Sequence, residues 1–409
     1  MLAHPFNLAI FSCGGNRDRP TTIKIMPLKI LIAPDKFKGS LTARAAAQAI
    51  AAGWSKARPD DSLTLLPLSD GGDGFGEVLG NLMPATIQNV STVDAAHRSC
   101  QARWWWEPKT KTAVIESAEV IGLAMLPAGK FHPFELDTFG LGALLQAALT
   151  KGARRCLIGI GGSATNDGGF GLARALGWEF LDAGGGVIQR WTELHTLATI
   201  QKPRPRRWFA ELIVAVDVQN PLLGVRGATR VYGPQKGLQP AELAAAEKNL
   251  GRLALVVSRN GTRFHNRRGA GAAGGLGFGL LTFLGARMEP GFAVFARHAE
   301  LAKYLPSADL VITGEGRLDA STLMGKGTGQ LARRCRALKI PCLALAGTIA
   351  EREKVQRRFA EIHVLTDLTT LTGAQAKPVH WLKTLANQIA KNGGIQFRSS
   401  TNYFLDSVG

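Results

Sequence analysis

The sequence predicts an α/β protein in which one mostly parallel sheet is interrupted by an inserted second domain. Three observations carry that prediction. Short apolar runs near both ends of the chain stop at Gly- and Asp-rich loops and give way to helical periodicity, the alternation expected of βα units. Between them, residues 88–116 alternate as antiparallel strands do. The 409 residues, 45% of them hydrophobic, leave room for two domains and a large core.

Taken in order, residues 29–33 make the first strand and run into Pro34-Asp35-Lys36-Phe37-Lys38-Gly39-Ser40, after which Thr42 caps a helix over 43–54. Residues 62–66 make the second strand and lead to Ser69-Asp70-Gly71-Gly72-Asp73-Gly74. The glycine pair leaves the backbone free to bring both acids to one point, and the acid ladder of an EF-hand is absent. Stretches 102–106 and 112–115 read as a hairpin turning at Pro108 and Lys109, with Trp104-Trp105-Trp106 as sheet packing. Glu116 ends that strand, and 138–149 form an amphipathic helix preceded by Asp137.

The densest stretch follows. An apolar strand over 156–160 stops at Gly159-Ile160-Gly161-Gly162-Ser163-Ala164-Thr165-Asn166-Asp167-Gly168-Gly169, and helical periodicity resumes only at Phe170. Glycines let backbone N–H groups converge on an anion, while Ser163, Thr165, Asn166 and Asp167 offer ligands for a metal or a substrate hydroxyl. Gly159, Gly161 and Ala164 also satisfy the dinucleotide fingerprint G-x-G-x-x-A. That motif opens its helix within the glycines, which would place Gly168 and Gly169 in the first turns at about 1 kcal/mol each. Dinucleotide binding therefore ranks second.

Beyond it, a very apolar strand over 212–216 ends at Asp217, with Asn220 before Pro221. Residues 224–237 read as a long loop carrying Arg226, Arg230 and Lys236, residues 240–256 as a helix, and the small residues 269–277 as a site of close backbone approach. A strand over 309–313 feeds Gly314-Glu315-Gly316-Arg317-Leu318-Asp319, and Lys326 precedes a helix over 328–338 in a setting that is not Walker A. Residues 341–346 and 361–365 are the last parallel strands, and 380–389 the closing helix. Residues 1–25 are expected to be a disordered extension before a natural start at Met26, without the features of a secretory signal, and 392–409 a flexible tail. The divided sheet domain is then expected over 26–89 and 286–391, and the inserted domain over 90–285.

Composition narrows the function. No apolar run approaches a membrane span, and five scattered cysteines without a C-x-x-C pair argue against a disulfide framework or structural zinc, and for the cytoplasm. The net charge of +18 is spread over short clusters, and only Phe264 interleaves with them, so nucleic acid is not the expected partner. The histidines lack metal spacing, and no G-x-S-x-G elbow is present. What recurs is a carboxylate or Gly-rich loop at five strand ends, accompanied by Lys36, Lys38, Lys236 and Lys326. Phosphoryl transfer needs that mixture: carboxylates hold Mg²⁺ and accept a proton, and cations with backbone N–H groups neutralise the moving charge.

The loops 33–41, 69–74, 161–169, 217–221, 233–237, 271–277 and 313–319, in that order, resemble those of the type 1 bacterial glycerate kinases over roughly residues 28–392. The resemblance implies a flavodoxin-like, discontinuous α/β domain with a second mixed α/β domain inserted. It also implies ATP- and Mg²⁺-dependent phosphorylation of D-glycerate, usually at the 2-hydroxyl, in the cleft between the domains. Val93-Asp94-Ala95 departs from the family pattern, as does Asp137, where a small hydroxyl residue usually precedes Thr138. The partners expected are D-glycerate and ATP, with the chain a homodimer or a monomer.

Residue roles come from chemistry. Asp217 is expected to be the base, because a rigid apolar strand fixes and partly desolvates it, with Asp73 and Asp167 as the next candidates and Lys36 facing the phosphates beside Lys326. Asp35, Lys38, Asp70, Gly161, Gly162, Ser163, Thr165, Asn166, Asn220, Lys236, Gly274 and Gly275 are expected to bind substrate or nucleotide, and Glu315 and Asp319 to bind metal.

Overall fold

A computed structural model describes residues 26–204, 208–259, 261, 263–323 and 325–392. The expectations for residues 1–25 and 393–409 lie outside the described residues.

In chain order the strands are β1 (Lys29–Ile32), β2 (Ser62–Leu65), β3 (Thr86–Val93), β4 (Ser99–Glu107), β5 (Thr112–Glu116), β6 (Arg155–Gly159), β7 (Glu179–Asp182), β8 (Leu197–Gln201), β9 (Glu211–Ala215), β10 (Arg287–Glu289), β11 (Leu310–Leu318), β12 (Cys342–Ile349) and β13 (Glu361–Val364). Ten helices matter here: α1 (Ala43–Ala57), α2 (Phe75–Leu82), α3 (Leu141–Thr150), α4 (Phe170–Ala175), α5 (Ala228–Lys236), α6 (Leu243–Ser258), α7 (Ala272–Leu284), α8 (Gly291–His298), α9 (Gly327–Ala337) and α10 (Pro378–Asn392).

Two main sheets result. The first has the order β13-β12-β11-β1-β2 and is parallel throughout, so the five strands expected to share a sheet do share it. Its order reverses between β1 and β11: the chain moves from β1 outward to β2, then returns beside β1 at β11 and proceeds the other way to β12 and β13. In open α/β sheets that switch point is where the crevice for a ligand forms. The second sheet, β10-β9-β6-β5-β4-β3, is parallel from β10 to β5; β4 returns antiparallel on β5 as the expected hairpin, and β3 is added antiparallel to β4 at the edge. Because β3 begins at Thr86 and β10 pairs with β9, this sheet extends slightly past both expected limits, 90 and 285.

The two sheets share a core. Leu31 and Ala33 from the first and Val114, Leu157 and Ile213 from the second belong to one buried apolar cluster, with Phe75 of α2 and Phe292 of α8. Helix α2 carries glycines one turn apart, Gly76 and Gly80, and the indole of Trp105 lies so close over both that a β-carbon at either would overlap it. The tryptophan run is thus packing, as its alternation implied: Trp104, Trp105 and Trp106 are all buried. Thr42 does cap α1, its hydroxyl accepting from Ala45 N–H at 3.1 Å.

Two segments differ from the sequence reading, and a third, residues 269–277, makes the close backbone approach expected of it, with Gly271 against the Pro221 carbonyl and Gly274 against the Thr165 carbonyl. Residues 228–236 form α5 rather than loop, because Ala228, Thr229 and Gly233 bury against neighbouring elements and Pro234 falls in the last turns. β11 continues through Gly314-Glu315-Gly316 to Leu318, since Gly314 allows β12 to approach and the ladder pairs as far as Leu318 with Ile349. Glu315 is therefore inside a strand, not past its end. In residues 269–277, Ala273, Gly274 and Gly275 all have positive φ at the start of α7, a conformation that favours glycine.

Candidate active site

The carboxyl ends of β1, β2 and β9 meet beside the middle of β11, at Gly314 and Glu315, where the two sheets join. Asp35 follows β1; its backbone N–H donates to the Gly314 carbonyl of β11 at 2.8 Å, and its Oδ1 accepts from Lys36 N–H at 2.7 Å. Asp70 and Asp73 follow β2, where Gly71 lies against the Ala215 carbonyl of β9 and accepts from Gly161 N–H of the other sheet at 3.0 Å. Asp217 follows β9. Its Oδ1 accepts from Gly291 N–H at 2.9 Å, at the start of α8, while its Oδ2 is buried without a hydrogen-bond partner.

These acids feel one another. Burial, then the Asp70 carboxylate, pushes Asp35 up to about 7. Burial, then Asp70 and more weakly Asp35, pushes Asp217 up to about 8 against its backbone hydrogen bonds. Lys36 sits among them: burial works against its charge, but Asp70, Asp35, Asp73 and Glu116 outweigh burial and hold its pKa above the ordinary lysine value. Glu116 was read from sequence only as a strand end. It accepts from Gly74 N–H at 2.9 Å and Gly76 N–H at 3.0 Å, so it fixes the start of α2, and burial raises it to about 7. The available signal was a carboxylate ending a strand of the other sheet.

Glu315 and Asp319, the residues expected to bind metal, are both engaged by protein partners. Glu315 faces Lys326 at 3.4 Å and accepts from the Thr322 hydroxyl at 2.9 Å, and Asp319 is engaged by the Ser321 hydroxyl and backbone N–H and by Arg317 at 3.6 Å. Among the described residues, no group of three or more acidic, His or Cys side chains is arranged to hold a metal. Asp70 and Asp35 fit a cation better, because their oxygens lack a cationic partner as close as Lys326 is to Glu315 and their mutual repulsion is what a divalent ion relieves.

The Gly161–Gly169 loop stands behind this cluster rather than in it. Asp167 is completely buried; its Oδ2 accepts from Thr138 N–H, the Thr138 hydroxyl and Gly171 N–H, and its Oδ1 from Gly169 N–H. Burial, with Asp137 nearby, raises it to about 6. With its oxygens so engaged, Asp167 orients α3 and α4 and has no free oxygen edge for a base. Lys236 is buried, donates to the Thr165 carbonyl at 2.6 Å, and is brought down to about 7 by burial. Asn166 donates to the Thr229 hydroxyl, Ser163 meets Thr165 at 3.0 Å, and Gly274 and Gly275 pack against the backbone of Thr165, Asn166 and Gly168. Asn220 clasps its own loop, donating to the Arg226 carbonyl and accepting from the Tyr232 hydroxyl. These residues, expected to bind substrate, have their polar groups engaged with neighbouring loop and helix segments behind the carboxylate cluster. Gly161 and Gly162 stay at its edge, against Gly72 and Asp73. Asp137 pairs with His97 at 3.0 Å and caps Phe139 N–H, on the far side of Asp167.

Two cavities open from the cluster. One, of about 710 Å³, is lined by Lys36, Lys38 and Asp73 together with α1 and α2. The other, of about 570 Å³, is lined by Asp217, Gly325 and the arginines Arg268, Arg333 and Arg358. The arginines carried no signal in the sequence, since each lies in an unremarkable basic cluster. Phe170 opens α4 only after Gly169, as the argument against a dinucleotide fingerprint required.

The chain is similar to known proteins over most of its length. The model of the glycerate kinase family matches residues 30–393. A glycerate kinase of Bacillus subtilis (strain 168) is 38% identical over 331 residues, spanning 79% of this chain and 86% of that protein. The glycerate 2-kinase of Escherichia coli (strain K12) is 36% identical over 354 residues, spanning 85% and 93%. A crystal structure of a protein assigned as glycerate kinase 2 from Salmonella typhimurium LT2 superposes with a TM-score of 0.77 at 33% identity, covering 92% of this chain and all of that one.

Proposed function

The chain belongs to the glycerate kinase family, and from that premise we infer that it transfers the γ-phosphoryl group of ATP to D-glycerate, giving 2-phosphoglycerate. One observation supports the site assignment above the rest. Asp217 has one oxygen pinned by Gly291 N–H and the other buried and unpartnered, at a cavity with three arginines. That is the arrangement a base needs beside an anionic acceptor. The arginines hold the glycerate carboxylate, and the free Asp217 oxygen takes the proton of the hydroxyl as it attacks phosphorus. Lys36 and Lys326 neutralise charge on the transferring group, and the Glu315 contact keeps Lys326 at the cleft. Asp70 and Asp35 are the side chains that would hold Mg²⁺, which offsets charge on the nucleotide phosphates when bound.

The sheets suggest domain limits of 26–85 with 290–392 for the parallel domain and 86–289 for the inserted one. No helix among the described residues is long and apolar enough to cross a membrane.

The test is a coupled ADP-release assay with D-glycerate and Mg-ATP, the product then offered to enzymes that distinguish 2- from 3-phosphoglycerate. Turnover that gives the 2-phosphate is expected. No turnover would refute the activity, and the 3-phosphate alone would refute the position.

A further inference from the structure

We propose that the 710 Å³ cavity between α1 and α2 receives the adenine and ribose of the nucleotide, so that ATP and glycerate enter the carboxylate cluster from opposite sides. The proposal rests on the kinase reading above and assigns its two substrates to two cavities.

The cavities divide the cluster between them. Lys36 and Asp73 line the first, Asp217 and Gly325 the second, so a phosphoryl group moving from one to the other passes the acids at the switch point. Their linings differ in kind. In the first, Val78 and Leu82 lie one turn apart on α2, Ala43 and Ala47 one turn apart on α1, and Leu65 ends β2. Together they make a slot with aliphatic sides. Leu65 is 39% exposed although it ends a strand of the parallel sheet, and a planar base in the slot would cover it. A cavity of this volume is in the ordinary range for a cofactor or nucleotide, about 300–1,000 Å³.

Polar groups stand at the rim in the pattern a nucleotide needs. Gln48 on α1 and Asn81 on α2 are exposed amides that take no part in the hydrogen bonds among the described residues. An amide offers a donor and an acceptor together, which matches the amino group and ring nitrogen on one edge of adenine. Lys38 and Arg44, also exposed and without an acidic partner among the described residues, lie with Lys36 along the same cavity and suit a polyphosphate chain. The second cavity gathers Arg268, Arg333 and Arg358 instead, a set that suits a small carboxylate and its phosphorylated product.

The experiment uses the full chain and three variants: Asn81→Trp, which fills the slot from an exposed position; Gln48→Ala, which removes one rim amide; and Arg358→Ala in the other cavity. Mg-ATP and Mg-ADP affinities are read by calorimetry, KM for each substrate by the coupled assay, and folding by thermal melts. Asn81→Trp should weaken both nucleotides about tenfold or more, and Gln48→Ala about threefold, with KM for glycerate within twofold of wild type. Arg358→Ala should raise KM for glycerate while leaving nucleotide affinity within twofold. The proposal is overturned if a folded Asn81→Trp binds ATP like wild type, or if Arg358→Ala weakens ATP more than Asn81→Trp does. Wild-type ATP binding that Asn81→Trp removes, without any glycerate turnover, would refute the kinase reading and support this one. Glycerate turnover unaffected by Asn81→Trp would do the reverse.

Discussion

Replacing Asp217 by asparagine should separate activity from stability, and the sign of each effect follows from the structure. Asn Oδ1 can keep the hydrogen bond from Gly291 N–H, so the loop geometry survives. What is lost is the group that accepts the hydroxyl proton, and kcat should fall about 10²-fold or more with KM for ATP nearly unchanged. The stability effect runs the other way. Asp217 titrates at about 8 in the folded protein and at 3.8 when unperturbed, so between those values the native state keeps a proton that the unfolded chain has released. Stability from this group is therefore full below about pH 4 and declines as pH rises towards 8. At about 1.4 kcal/mol per pH unit the ceiling is about 6 kcal/mol, and because the side chain lines an open cavity, screening brings the expectation nearer to about 1–3 kcal/mol. Asp217→Asn should thus melt about 2–5 °C above wild type at pH 8, with the gap closing near pH 4. Wild-type kcat/KM for glycerate should rise with pH and inflect near 8, and the variant should lose that inflection. Near wild-type kcat in the variant would refute the base, and a melting point below wild type at pH 8 would refute the account of a carboxylate destabilised by burial and by Asp70.

Two further substitutions probe the scaffold. Gly76→Ala places a methyl group inside the Trp105 ring and should destabilise by about 1–3 kcal/mol or more, read as a lowered Tm; an unchanged Tm would mean that Trp105 does not pack on α2 as described. Asp167→Ala leaves the N–H groups of Thr138, Gly169 and Gly171 without their buried acceptor and should cost about 3 kcal/mol or more, with kcat below the melting transition reduced less than tenfold. A hundredfold loss of kcat at unchanged Tm would instead restore Asp167 as a base.

The sequence by itself determined the elements and the kind of chemistry. Apolar runs over 29–33, 156–160 and 212–216 become β1, β6 and β9 within a residue or so, because a strand buried on both faces needs an uninterrupted apolar stretch, while 62–66 becomes β2, a partly exposed edge strand. Asp35 and Asp70 were legible together for a related reason: parallel strands of one sheet point their carboxyl ends to one edge, so acids just past those ends gather there, whereas Asp217 follows a strand of the other sheet and joins them only through the packing of the two sheets. The tertiary structure decided which polar residues face the cleft and which lie behind it. Asp167 and Asp217 both follow apolar strands in glycine-containing surroundings, but the loop carrying Asp167 folds back under α3 and α4 and surrounds it with donors, whereas Asp217 stops at the cleft with one oxygen free. Lys236, Gly274 and Gly275 went the way of Asp167, and Glu315 entered a strand because β12 lies close enough to extend the ladder. The arginines of the second cavity come from three separate segments and meet only in space. Spacing along a chain fixes how far a side chain lies from its strand. Its depth and its neighbours are set by what packs over the loop, and those neighbours come from distant parts of the sequence.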